Sequence, residues 1–379
     1  MVLAGDIRKQ AGQGASRVQM RPILARPADL SSSIEVRLVD PLSDPDWDRL
    51  VLSHPGFNFF HRTGWAKVLC QTYGHKPLYL HFYQADELVG LLPVMEVVSP
   101  FTGRRGVSMP FSDFCEPLLL EQWRHEKILF ETLRELARER KWSYFEMRGG
   151  KNSLPGTPVA AERFYGHKLD LTAGIEKVAA RFQSSVGRAI RKAEKSGLTV
   201  EVTKSGEAMV DFYRLHERTR RRHGLPPQSF SFFRSIQKEI IDADLGFIVV
   251  AKQAMTPIAA AVFFHSGEEA LFKFGASNEK NQQLRGNNLV MSEAIKHLMK
   301  KGLRMLHFGR TDTGNEGLRQ FKLSWGAQEE VIEYFRFALN TNRWINSGGN
   351  APEFHNQIFR RLPLAANRIA GALIYPHLD

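Results

Sequence analysis

The 379-residue chain has only two cysteines, Cys70 and Cys115, far apart and in no CxxC pair. That excludes a disulfide framework and a cysteine-built zinc site, and it suits a reducing compartment. No run approaches the roughly 18–20 uninterrupted apolar residues of a spanning helix. The best stretch, Leu245 to His265, is broken by Lys252, Gln253 and Pro257. The N-terminus has no signal-peptide h-region, so a cytoplasmic chain is expected. GxSxG, GxxxxGK[ST], HExxH and EF-hand patterns are all missing. The thirteen histidines form no metal-ligand pair at helical spacing, so no metal is expected. Acidic residues are also in short supply. There are 40 Asp+Glu against 52 Lys+Arg, a formal charge of +12 and a pI near 9.7. The partner is therefore expected to be anionic, carrying phosphate, nucleic acid or a lipid headgroup, and charge alone does not choose among them.

What is present is a globular composition, 43% hydrophobic and 11% aromatic, on a length that suits two domains. Residues 1–33 read as a disordered basic leader. Residues 34–150 read as a first mixed unit. It has a strand over Ile34–Val39, helices opening at Asp46-Trp47 and over Thr63–Tyr73, a hairpin around Ala85-Asp86, a helix over Glu121–Arg140 and a strand over Trp142–Met147. The turn-rich KNSLPGTP at Lys151–Pro158 is the best boundary. Residues 151–340 repeat the alternation. Helices are predicted over Gly174–Ser196, Gly206–Gly224, Gln228–Ile240 and Asn288–Lys301. Strands are predicted over Leu245–Ala251, Pro257–His265, Ala270–Ser277, Leu303–Phe308 and Glu329–Phe337. Residues 341–379 read as a polar linker and an amphipathic helical run with Arg360, Arg361 and Arg368, kinked at Pro363. That run packs on the body or touches an anionic membrane surface. The fold class is α/β (α+β), with two similar units.

Three segments could carry chemistry. The first is HFGRTDTGNEGLRQFKLSWGAQ, His307 to Gln328. It places Arg310, Asp312, Asn315, Glu316 and Lys322 at a strand exit, where α/β folds hold ligands. It offers cations for an anionic group and carboxylates for acid–base work. The competing view is a solvated turn and a short helix, with Leu318, Phe321 and Trp325 packed inward. The second is Gln283-Leu284-Arg285-Gly286-Asn287-Asn288, between a strand and a helix. Helix-start amides and a glycine make an anion site there, or it is an ordinary N-cap loop; in either case Asn287 or Asn288 is expected to cap the helix. The third is Arg181 to His223, with eleven Lys/Arg against five acids, half of the chain's positive excess. It includes Arg188, Lys192, Arg221 and His223, and it suits an anionic substrate or RNA as well as a solvated face. DNA is not expected.

Taken together, these residues resemble a family. HFGRTD, NEGL and FKxxWGA resemble the C-terminal half of FemAB-type proteins, tandem domains of the GCN5-related N-acetyltransferase (GNAT) fold, to which the BioF-like acyltransferase domain is related. Ser185–Ala193 resembles the family's R-x-I-R-K-A helix, Arg222–Pro226 its R-H-G-x-P element and Lys273–Ser277 its K-x-G-A-S strand end. Phe59–Trp65 and Leu92–Val94 resemble the first repeat. The likeness covers roughly residues 40–340. The tail with Arg360-Arg361-Leu362-Pro363 resembles the subgroup associated with exosortase and exopolysaccharide systems.

The resemblance implies tandem GNAT-like repeats, each a mixed central sheet flanked by helices. It implies an N-acyltransferase or aminoacyltransferase that forms an amide, with acyl-CoA or aminoacyl-tRNA as co-substrate. The acceptor would be an amine on a cell-envelope or exopolysaccharide precursor, and the chain would be cytoplasmic or peripheral to the inner membrane. The family's Phe-Lys pair falls on Phe321-Lys322, ahead of Trp325-Gly326. The pyrophosphate loop falls on Gln283, Gly286 and Asn288, with Asn288 departing from the usual Gly/Ala. Arg310 and Lys322 would then hold phosphate or developing charge, and Asp312 or Glu316 would take a proton. Arg188, Lys192, Arg221, His223, Asn315, Phe321 and Trp325 would face the substrate. Rival readings are a non-catalytic GNAT-fold scaffold of a polysaccharide export system and an RNA-binding protein.

Overall fold

A computed structural model describes residues 34–121, 125–346 and 353–379. The basic leader lies outside these residues, as does most of the Gly/Asn linker. A thirteen-stranded mixed sheet runs through both halves. From the edge in the second half, its order is Leu198–Thr203, Gly246–Gln253, Thr256–Ser266, Glu269–Ser277, Met305–His307, Glu162–Asp170 and Gln328–Ala338. It continues into the first half with Tyr144–Arg148, Gly103–Val107, Met95–Ser99 and Lys76–Pro77, and two short strands off this path, Thr311–Asp312 and Arg343–Ile345, pair with Glu162–Asp170 and Gln328–Ala338. The late strand Gln328–Ala338 is the joint, pairing Glu162–Asp170 and Tyr144–Arg148. A smaller four-stranded sheet, Ile34–Val39, Tyr79–Gln84, Glu87–Leu92 and Leu118–Leu119, belongs to the first half.

Period-two alternation builds two cores on the second-half sheet. Along Thr256–Ser266, Ala260, Val262 and Phe264 face one core, and Ala259, Ala261 and Phe263 face the other. The helix Gly206–Arg222 covers the first face through Met209 and Phe212, with Phe232 and Phe233 beside it. Helices Ser184–Lys195 and Gly286–Lys300 cover the other, through Val186, Ala193, Leu289 and Ile295. The basic stretch Arg181–His223 is therefore not one surface. Its two helices lie on opposite faces of the sheet, with the strand Leu198–Thr203 between them.

The hairpin at Ala85-Asp86 forms as its sequence predicts, with both residues at positive φ. The Thr63–Tyr73 helix and the tail break at Pro363 also match. The strands Gly103–Val107, Glu162–Asp170 and Leu198–Thr203 have no counterpart in the sequence reading. The expected continuous helix over Gly174–Ser196 is two helices, Ile175–Ala180 and Ser184–Lys195.

Candidate active site

The site grows from an interrupted pairing. Glu269–Ser277 and Met305–His307 run parallel, but only Glu269–Leu271 pair with Met305–His307. Beyond them the two strands part, leaving a gap flanked by Lys273 on one side and by Gly309 and Arg310 on the other. At the gap the first strand bulges. Val262 and Phe263 oppose Phe274 and Phe272, so Lys273 is the extra residue. Phe272 packs with one core and Phe274 with the other, so the side-chain alternation resets at the lysine. A bulge of this kind re-aims a side chain next to a functional site.

The gap is closed by a loop of the first half. Lys273 Nζ donates to Phe111 O at 2.7 Å and to Asp113 Oδ2 at 3.0 Å. It also lies over the rings of Phe60 and Trp65. The other carboxylate oxygen, Asp113 Oδ1, accepts from Arg310 N at 3.1 Å. One carboxylate thus bridges the two parted strands. Gly309 makes the approach possible, because it holds φ at 68° and a Cβ there would lie 3.1 Å from Asp113 Oδ1. Met109 and Phe111 adopt φ of 81° and 57°, a conformation that side chains resist, so surrounding contacts must hold the loop in place. Burial pushes the Asp113 carboxyl up, but Lys273, the Arg310 amide and the Arg310 charge outweigh it and hold it below the usual range. Behind it, Tyr334 Oη donates to Asp113 O at 2.7 Å and accepts from Arg310 Nη1 at 2.7 Å. The Arg310 guanidinium also lies over the Phe164 ring, 4.4 Å from its centroid.

Lys322 enters from the short helix Glu316–Leu323. The helix is capped by Asn315, whose side chain accepts from Leu318 N, so the cap fixes where the lysine points. Lys322 is buried, and its Nζ donates to Gly309 O at 2.8 Å and Arg310 O at 3.0 Å. Burial pushes its pKa down to about 8, Asp113 and Asp312 pull it back up, and Lys273 lowers it. An ammonium has three protons, and these carbonyls take two. A second chain of charge lies next to it. Arg319 holds Glu329 through two bonds of 2.7 and 2.8 Å, and Glu329 Oε2 lies 3.1 Å from His167 Nε2. His167 Nδ1 is buried and unpartnered. Burial and then Lys322 lower its pKa against the pull of Glu329.

The other sequence candidates are placed as follows. Asp312 is exposed at the end of the short strand Thr311–Asp312. Glu316 is exposed and engaged by Arg319 and Gln320 on its own helix. Trp325, expected to face substrate, is instead a core residue, fully buried against Phe182 and Phe321. Phe321 is half-buried at the edge of that core. Arg188 and Lys192 lie on the opposite face of the sheet from the helix that carries Arg221, and Lys192 is exposed. Arg221 donates to Arg360 O, and His223 lies beside Arg222.

In the loop before Gly286–Lys300, Gln283 lies in a 3-10 turn and Arg285 takes the helix-entry position at φ 61°. No side chain caps this helix, which corrects the expected Asn287 or Asn288 cap. Asn287 donates instead to Ser277 Oγ, Asn288 is half-buried, and Gly286 is buried against Ile258 and Ala259. Asp113 and Lys273 form the centre of the site, and neither was among the sequence candidates. Their signal was there to read: a lone acid in the apolar run Val107–Cys115 and a lysine between two phenylalanines of a buried strand.

Among the described residues, no group of three or more His, Cys, Asp and Glu is placed to hold a metal. No described helix is long and apolar enough to cross a membrane. No curated protein matches the chain. Among solved structures, it is similar to FemX at 14% identity and a TM-score of 0.62, over 81% of this chain and 98% of that one. A tandem GNAT protein from the clavulanic acid biosynthesis pathway is similar at 10% identity and a TM-score of 0.53, over 84% and 100%. A protein of unknown function from Bacteroides thetaiotaomicron follows at 11% and 0.51, over 80% and 98%. These likenesses establish the fold. Residues 180–323 match the acetyltransferase (GNAT) domain family, and they contain the parted strands, the uncapped helix start and Lys322. The chain therefore has the tandem GNAT fold, and residues 180–323 of its second half are similar to the acetyltransferase (GNAT) domain family.

Proposed function

We propose that the protein transfers an acyl or aminoacyl group from an activated donor to an amine, forming an amide. The observation that carries this reading is the buried Lys322 ammonium beside the strand gap, held by two backbone carbonyls with one proton to spare. The acceptor nitrogen attacks the carbonyl carbon of a thioester or ester. A C–N bond forms, and the carbonyl oxygen becomes an oxyanion. That intermediate collapses as the C–S or C–O bond breaks, and the thiolate or alkoxide leaves and is protonated. The third Lys322 N–H stabilises the oxyanion. Asp312, an exposed carboxylate whose charge acts on Lys322, takes the proton the acceptor amine loses. Glu316 is already committed to Arg319 and Gln320.

Arg285 and the helix start at Gly286-Asn287, which no side chain caps, suit the diphosphate of an acyl-CoA, since helix-start amides and a cation lie together there. Aminoacyl-tRNA is the other donor class. The acceptor is an amine on a phosphate-bearing envelope or exopolysaccharide precursor, a chemistry that the +12 charge suits. The exosortase-associated FemAB-like subgroup is the finer placement this reading favours.

The test is amide formation followed by mass spectrometry, with panels of acyl-CoA and aminoacyl-tRNA donors and amine acceptors. Lys322→Ala should lower turnover by about 10²-fold or more, as removal of an oxyanion donor does, with the fold intact. A well-folded, fully active variant would overturn the assignment. Failure of every donor with the unaltered protein would favour the scaffold reading.

A further inference from the structure

The tail is amphipathic in sequence, and such a helix ordinarily turns its large apolar residues inward. In the structure the helix Leu364–Ile374 departs from this. Its buried positions are Asn367 and Gly371. Asn367 Nδ2 donates to Phe359 O at 2.8 Å, and Gly371 lies so close to Pro227 O that a Cβ would collide with it. Arg368 is spent on the body, paired with buried Glu217 of the Gly206–Arg222 helix. Tyr375 is buried, bonded to Arg220 and to Pro226 O. These small and polar contacts fix the helix with Ile369 and Leu373 outward and leave Leu364 and Ile374 half-buried. Ile369 is 64% exposed and Leu373 67%, next to exposed Ala365 and Ala372.

The apolar surface continues on both sides. Ile358 on the preceding helix Glu353–Arg361 is 45% exposed. At the other end His377 meets the ring of Phe101, which stands 80% exposed at a hairpin tip of the first half. No Asp or Glu occurs between Phe354 and Leu378, and Arg360 and Arg361 are both exposed. Outward aliphatic and aromatic side chains beside exposed arginines match the interfacial region of an anionic bilayer, with its apolar layer below a negative surface. A protein partner would need to bring acids to the same place, and a second copy of this chain would set arginine against arginine.

We infer that the outer face of Glu353–Arg361 and Leu364–Ile374, together with Phe101, docks the protein on an anionic lipid surface. The inference goes beyond the transfer reading and does not depend on it. It is tested by co-sedimentation of the full chain with vesicles of phosphatidylcholine and phosphatidylglycerol in a ratio of about 7:3, against pure phosphatidylcholine. At least about tenfold stronger partitioning to the anionic vesicles is expected, falling in about 0.5 M salt. Ile369→Glu with Leu373→Glu should lower it at least about tenfold, and Arg360→Glu with Arg361→Glu should lower it too. Both pairs are outward-facing, and circular dichroism checks their fold. In case a pair misfolds, Leu373→Trp offers a second reading, a blue shift of the introduced indole's fluorescence on anionic vesicles alone. Equal binding to both vesicle types, undiminished binding by the folded Ile369/Leu373 pair, or no fluorescence shift in the Leu373→Trp variant would overturn the inference. So would a dimer in sedimentation that the same pair abolishes. None of these measurements needs turnover, so their failure leaves the transfer reading standing, and an inactive protein can still bind.

Discussion

At the scale of single residues, two buried lysines have different tasks in the proposed site. Lys322 is held near pKa 8 by burial, so its ammonium form is lost as pH rises through that value. If the ammonium stabilises the oxyanion, activity should fall on the alkaline side with an apparent pKa of about 8. Lys322→Arg should remove that limb at reduced turnover, because a guanidinium stays charged. A limb unchanged in the arginine variant would assign it to another group. Lys273 is structural in character. Its partner Asp113 comes from the other half of the chain, and the pair is sealed under aromatic rings. Asp113→Ala would leave a buried ammonium without its charge partner, which costs about 3–5 kcal/mol. Denaturant titration should show that loss, and pairing the change with Lys273→Met should recover much of it. Lys322 could be located from sequence through the Phe-Lys resemblance. Asp113 could not, because its importance comes from a contact 160 residues away in sequence, and periodicity carries no information about such distances.

At the scale of elements, sequence reading works where a period is clean and local chemistry ends the element. Thr63–Tyr73 is bounded by a β-region residue before it and by Gly74 in the left-handed conformation after it, and the helix forms over the predicted residues. It fails where tertiary pairing decides. Glu162–Asp170 carries charges and a glycine, and it is a strand because it has neighbours on both sides. The tail helix is the sharpest case, since its period was legible but its facing was not. Gly371 fixes that facing. Gly371→Leu should lift the helix from Pro227, at a cost of about 1–3 kcal/mol for overpacking. Hydrogen exchange should then rise over residues 364–377 while the sheet stays protected, and unchanged protection would contradict the packing described.

At the scale of the whole molecule, the sequence reads as two runs of alternating elements, and their union is not legible in it. One strand, Gln328–Ala338, joins them into a single sheet, and Asp113 carries a first-half carboxylate into a second-half gap. Unfolding should therefore be a single transition, followed alike by circular dichroism and by tryptophan fluorescence. Two separated transitions would show that the halves stand alone. The joining strand also imposes an order on synthesis. Tyr144–Arg148 leaves the ribosome with one edge unpaired, and its partner lies some 190 residues further along. At ordinary elongation rates of about 5–20 residues per second, that edge waits roughly 10–40 s. An open edge is a template for pairing with other chains. The nascent first half should thus be a client of ribosome-associated chaperones until the strand that closes it arrives.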